Sequence, residues 1–176
     1  MFLNIFKNEI SYWLDRPAFY VYSLIFLFIA VMTSGYAAGL FDSVTVTVGS
    51  SRIVNSPFAL SGLFAGLSSL VIFLYPSIIG VSVYRDFKSE MHTILYSYPF
   101  TKLEYLLAKF FSGIFIVHII VFLIGIGIAL GFNLPGTNPD LLTDFDIKPY
   151  FDAYIICLLY TSDAADEGLG VDLGGR

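Results

Sequence analysis

The chain is predicted to be an all-α, polytopic membrane protein with three transmembrane helices. Two observations predict this. Of 176 residues, 57% are hydrophobic and only 13% charged, against roughly 25% charged in an ordinary soluble domain, and the mean hydropathy is +0.79. Residues 17–41, 53–84 and 110–139 are also free of charge apart from their edges. Each run exceeds the ~20 apolar residues needed to cross ~30 Å of hydrocarbon at ~1.5 Å per residue.

The elements follow in order. Residues 1–16 place Phe2, Phe6, Ile10, Trp13 and Leu14 on one helical face and Asn4, Lys7, Asn8, Ser11 and Asp15 on the other. This is the period of an amphipathic helix, and Tyr12 with Trp13 suits the membrane interface. A helix packed on other protein is the alternative. The first run is too long for the apolar core of a signal peptide. Pro17 can open the next helix because its missing N–H costs nothing in the first turn.

Transmembrane helices are expected at 17–40 and 58–84, with an exterior loop at 41–57. The third helix covers 102–132 and spans the membrane from about residue 110. An exterior loop at 133–149 and the start of a fourth span at 150–156 follow. Three features are expected to govern helix packing: Gly62 with Gly66, Gly127 with Gly131, and Pro76 as a kink in the second span. Near the span ends, Lys7, Arg16, Arg85, Lys88, Lys102 and Lys109 face Arg52 and Lys148, six cations against two. That asymmetry places the N-terminus in the cytoplasm.

Residues 157–176 switch abruptly to Asp, Ala and Gly. Back-translation of CLLYTSDAADE and GVDLGGR resembles two parts of a transposase sequencing adapter. The native sequence is therefore expected to end near Ile156, and the tail to have no fixed structure. Leaving it out removes four acids and Arg176 and moves the net charge from −5 to −2. It also removes Cys157, the only cysteine, so cysteine chemistry gives no guide to compartment.

The segment 85–101, RDFKSEMHTILYSYPFT, joins the second and third spans. Phe87, Met91, Ile94, Leu95 and Tyr98 recur at helical spacing, and Pro99 stops the pattern. Thr101 and Glu104 then form a capping box for the third helix. A surface helix tied at both ends to spans can pass motion from a cytoplasmic partner into the bilayer; a helix that merely seals the loop is the alternative.

This segment resembles the cytoplasmic coupling helix of ABC exporter permeases of the second type. Arg85, Asp86 and Glu90 match its charged start, Thr93 and Leu95 its middle, and Pro99 its break. Thr101 and Glu104 match the cap and Lys109 the closing lysine; Phe87 and Met91 fall on the apolar face. The departures are Met91-His92 where glycine is expected and Ala108 before Lys109. With FKNEISYWLDRPAFY, the stretch looks like a Bacteroidota-type permease whose full-length members are fused to a zinc aminopeptidase domain.

The resemblance implies a bacterial inner-membrane, multi-pass subunit, here as an N-terminal fragment. It would couple ATP hydrolysis by a separate ABC ATPase subunit to export, paired with a second permease half as a homo- or heterodimer. The alternative is the membrane anchor of a peptidase without transport. No H-E-x-x-H occurs, and the chain is expected to have no catalytic residue, metal, cofactor or nucleic-acid partner.

Two further features are discounted. His118 lies in mid-span and is expected to be neutral, bonded between helices. Asp140, Asp144, Asp146 and Asp152 lack the glycine and terminal glutamate of a calcium loop.

Overall fold

A computed structural model describes residues 2–40, 53–88 and 102–170. Among these the chain is helical: α1 Phe2–Leu14, α2 Pro17–Ala37, α3 Pro57–Val71, α4 Leu74–Lys88, α5 Lys102–Phe132 and α6 Ile147–Gly170, with a 3-10 turn at Pro139–Leu141. Three stretches are long and apolar enough to cross a bilayer. They are Pro17–Ala37, Pro57–Asp86 and Leu103–Phe132, of 21, 30 and 30 residues with mean hydropathies of 1.9, 2.0 and 2.8. Only 28% of the Pro17–Ala37 window is buried within the chain. Tyr20, Val21, Leu24, Ile25 and Phe28 stand exposed, a face that suits lipid and would be costly in water.

α2 stops at a glycine. Gly39 takes φ 79°, Leu40 N–H donates to Gly35 O at 3.0 Å and Gly39 N–H to Tyr36 O at 3.1 Å. This pair of bonds caps the last carbonyls and needs the left-handed residue that glycine supplies.

The second span is broken one turn before Pro76. The helix is interrupted at Ile72-Phe73, between α3 and α4, and Pro76 sits in the first turn of α4. The break has a direct cause. Pro76 has no N–H to give to Ile72 O, four residues back, and that carbonyl accepts the Tyr75 N–H at 3.2 Å instead.

The chain divides into two compact units, one of residues 1–24 and 71–120 and the other of residues 25–70 and 121–176. In the first, α1 lays Phe2 and Phe6 against Phe111 and Phe115 of α5, ring centroids 6.5 and 6.0 Å apart. The apolar face of α1 is thus covered by protein. Its buried stripe also differs from the expected one: Glu9 is buried and Leu14 exposed, because the stripe follows Phe2, Phe6, Glu9 and Trp13 at steps of three and four. Behind it α4 and α5 approach closely, since a Cβ on Gly113 would lie 2.7 Å from Ile79 Cγ1.

In the second unit, α2 and α5 pack through small residues. A Cβ on Gly127 would lie 2.8 Å from Ala30 Cβ, and one on Gly131 would overlap Ser34 Oγ and lie 2.5 Å from Val31 O. Close backbone approach of this kind holds helices together where no hydrophobic drive exists between them. Gly62 and Gly66 are exposed, and a Cβ on Gly66 would meet nothing within 4 Å. The two interhelical loops of this unit join each other: Asn55 Nδ2 donates to Thr143 O at 2.7 Å, and Thr143 N–H to Asn55 Oδ1 at 2.9 Å.

The expectation of an unstructured tail from Cys157 does not hold through Gly170. Asp146 caps α6 by accepting the Lys148 N–H at 3.0 Å, and the helix runs on to Gly170. Once nucleated, a helix propagates through residues such as Leu158, Leu159, Ala164 and Ala165, which lose little by joining it. Ala153 and Cys157 are buried one turn apart, and Cys157 S–H donates to Ser68 Oγ at 2.8 Å.

Candidate functional site: a buried ionic cluster

Three helices of the first unit bring charge to one point. α4 contributes Ser82, Arg85 and Asp86, one turn apart on one face; α5 contributes Tyr105 and Lys109 at the same spacing; α1 contributes Glu9 and Tyr12. The ammonium of Lys109 is 2% exposed and the Glu9 carboxylate 6%. Lys109 Nζ lies 2.9 Å from Glu9 Oε1 and 2.6 Å from Asp86 Oδ2. It also donates to Ser82 O at 2.7 Å.

The carboxylates are shared. Arg85 Nη2 donates to Glu9 Oε1 at 2.6 Å and Arg85 Nε to Asp86 Oδ1 at 3.3 Å. Ser82 Oγ–H reaches Glu9 Oε2 at 2.9 Å, and Tyr105 O–H reaches Asp86 Oδ2 at 2.5 Å. The Arg85 guanidinium stacks 3.8 Å above the Tyr12 ring, which also carries Arg16 at 4.5 Å. That contact covers part of Arg85, whose buried Nη1 has no hydrogen-bond partner among the described residues.

Two carboxylates and two cations make the core of the cluster neutral. Burying each ion costs several kcal/mol, which close partners offset, and removing one partner costs about 3–5 kcal/mol because the other is left unpaired. Among the described residues no group of three or more His, Cys, Asp or Glu side chains is placed to hold a metal. What the cluster can do is fix three helices to one another.

Of the residues singled out from the sequence, Arg85, Asp86 and Lys109 meet here. Arg85 and Asp86 belong to the last turn of α4 rather than to a separate helix, and basic Arg85 and Lys88 there favour the negative helix end. Phe87 lies in the same turn. Glu104 is in the first turn of α5, exposed, where an acid is favoured. Glu90, Met91, Thr93, Leu95, Pro99 and Thr101 lie outside the described residues.

Sequence reasoning missed Glu9, Tyr12, Ser82 and Tyr105 as members of the cluster. The signal for Glu9 was its position three residues after Phe6 and four before Trp13, an acid on the apolar stripe. His118 also differs from expectation. Its Nδ1 lies 2.8 Å from Ile114 O of its own helix, a bond within α5, and among the described residues no bond to another helix is found.

The second unit holds an apolar cavity of about 610 Å³ between α3, α5 and α6, lined by Phe64, Phe122, Ile126, Leu130, Phe145, Tyr150, Phe151 and Tyr154 among others. Asn133, on its wall, donates to Ala129 O of its own helix at 2.8 Å. Compared with known proteins, the chain matches no family model, no curated protein and no solved structure.

Proposed function

We propose that this multi-pass chain is part of an ABC exporter permease of the second type, in a bacterial inner membrane with α1 and residues 89–101 cytoplasmic. The observation that carries the reading is the ionic cluster. Arg85, Asp86 and Lys109, the charged ends of the permease-like segment, meet at one point. Residues 89–101 thus leave from and return to a rigid knot of three helices. A surface segment mounted in that way delivers force to the spans instead of absorbing it. In this reading a separate ATPase binds residues 89–101. A second permease half packs on the exposed small-residue face of α3, Ser61, Gly62, Ala65, Gly66 and Ser69, where close approach is open.

The same cations gather in one unit: Arg16 and Arg85 converge on Tyr12 in the unit that also holds Lys88 and Lys109. An excess of cations marks the cytoplasmic end. The test is co-expression with any ABC ATPase encoded beside the gene. The ATPase should co-purify with the chain and be stimulated by it. Leu95→Asp and Glu90→Lys should each weaken association while the protein still inserts. If an inserted chain binds no ATPase, or both variants bind it as well as the parent, the transport reading fails and a membrane anchor remains.

A further inference from the structure

We infer that α1 is a charge clasp: it carries the counter-ion that lets Lys109 sit inside the third span, and so sets how the second and third spans close on each other. This does not depend on the transport reading.

The inference begins with a deficit. Lys109 is seven residues beyond the start of α5, about 10 Å along the helix at ~1.5 Å per residue, and is buried. A lysine at such a place needs an anion, and an unpaired one would be pushed toward the interface. Asp86 is the only carboxylate that α4 brings to it, and Asp86 already accepts from Arg85 and Tyr105. The spans alone therefore hold two cations against one anion. Glu9 restores the balance, its Oε1 bridging both Arg85 and Lys109.

The remaining acids of the described part of this unit, Asp15 and Glu104, are exposed. Neutrality in the buried site thus comes from α1. Apolar packing of Phe2 and Phe6 on α5 holds the helix near. The charge decides whether Lys109 stays inside. On this account the N-terminal helix is a working part of the span bundle and not an independent surface anchor.

The test separates charge from packing. In a Cys157→Ser background, Phe6→Cys and Phe115→Cys are introduced, since these rings pack at 6.0 Å, and cross-linked in membranes with a short bismaleimide. Glu9→Gln or Lys109→Met alone leaves one net buried charge; the double variant is neutral again. Each single should lower the cross-linked fraction, or the amount retained in alkali-washed membranes, by at least about tenfold. The double should recover to within about twofold of the parent. The clasp is refuted if both singles behave as the parent, or if the double is as poor as the singles in both readouts, since packing or hydrogen bonding would then explain the loss.

Discussion

The contact of α2 with α5 makes a quantitative prediction. A Cβ added at Gly131 would lie 2.5 Å from Val31 O and overlap Ser34 Oγ. Ordinary contact begins near 3.4 Å, so Gly131→Ala must part the helices by about 0.9 Å from Val31 O and also turn Ser34 aside. Overpacking of this kind costs about 1–3 kcal/mol, while replacing a helical glycine by alanine returns about 0.5–1 kcal/mol. A net loss of about 1 kcal/mol follows, and at most about 2.5 kcal/mol. Gly127→Ala, at 2.8 Å from a side-chain methyl and 3.0 Å from Leu27 O, should lose less. Gly66→Ala meets nothing and should be neutral or slightly stabilising. The assay is the thermal or denaturant midpoint of the monomer in mild detergent. Ser34→Gly added to Gly131→Ala should recover part of the loss, because Val31 O remains. The reasoning is refuted if Gly66→Ala is as damaging as Gly131→Ala, or if Gly131→Ala is neutral.

Two further outcomes are expected. Cys157, 6% exposed and bonded to Ser68, should react with maleimide far more slowly in native micelles than in dodecyl sulfate; equal rates would mean that α6 does not hold this position. Asn55→Ala removes the bonds to the Thr143 N–H and O and should cost about 1 kcal/mol in the same melt, since hydrogen bonds open to water contribute little each. An unchanged midpoint would show that the two loops are held by something else.

The three long apolar helices were legible because length and hydropathy determine them, and neither depends on which residues touch. Features set by two partners were not. Gly127 and Gly131 face α2 while Gly62 and Gly66 do not, and the motif is the same in both. α6 continued past Cys157 because composition measures how little apolar surface a stretch carries, not whether a formed helix will extend through it. Within the site, Arg85, Asp86 and Lys109 were found through a likeness to other sequences. Glu9 was hidden in a helix read by its two faces, since its role depends on a lysine a hundred residues away.

The account rests on a chain that threads the membrane three times with its charged cluster on the cytoplasmic side, and impermeant thiol labelling of intact cells tests this most directly. In a Cys157→Ser background, single cysteines are placed at Ser50 and Ser89, before and after the second span in the sequence. The account predicts that the Ser50→Cys protein is labelled from outside and that the Ser89→Cys protein is labelled only after the cells are opened. Labelling of Ser89→Cys in intact cells with Ser50→Cys silent would reverse the orientation, and labelling of both from outside would contradict the span between them.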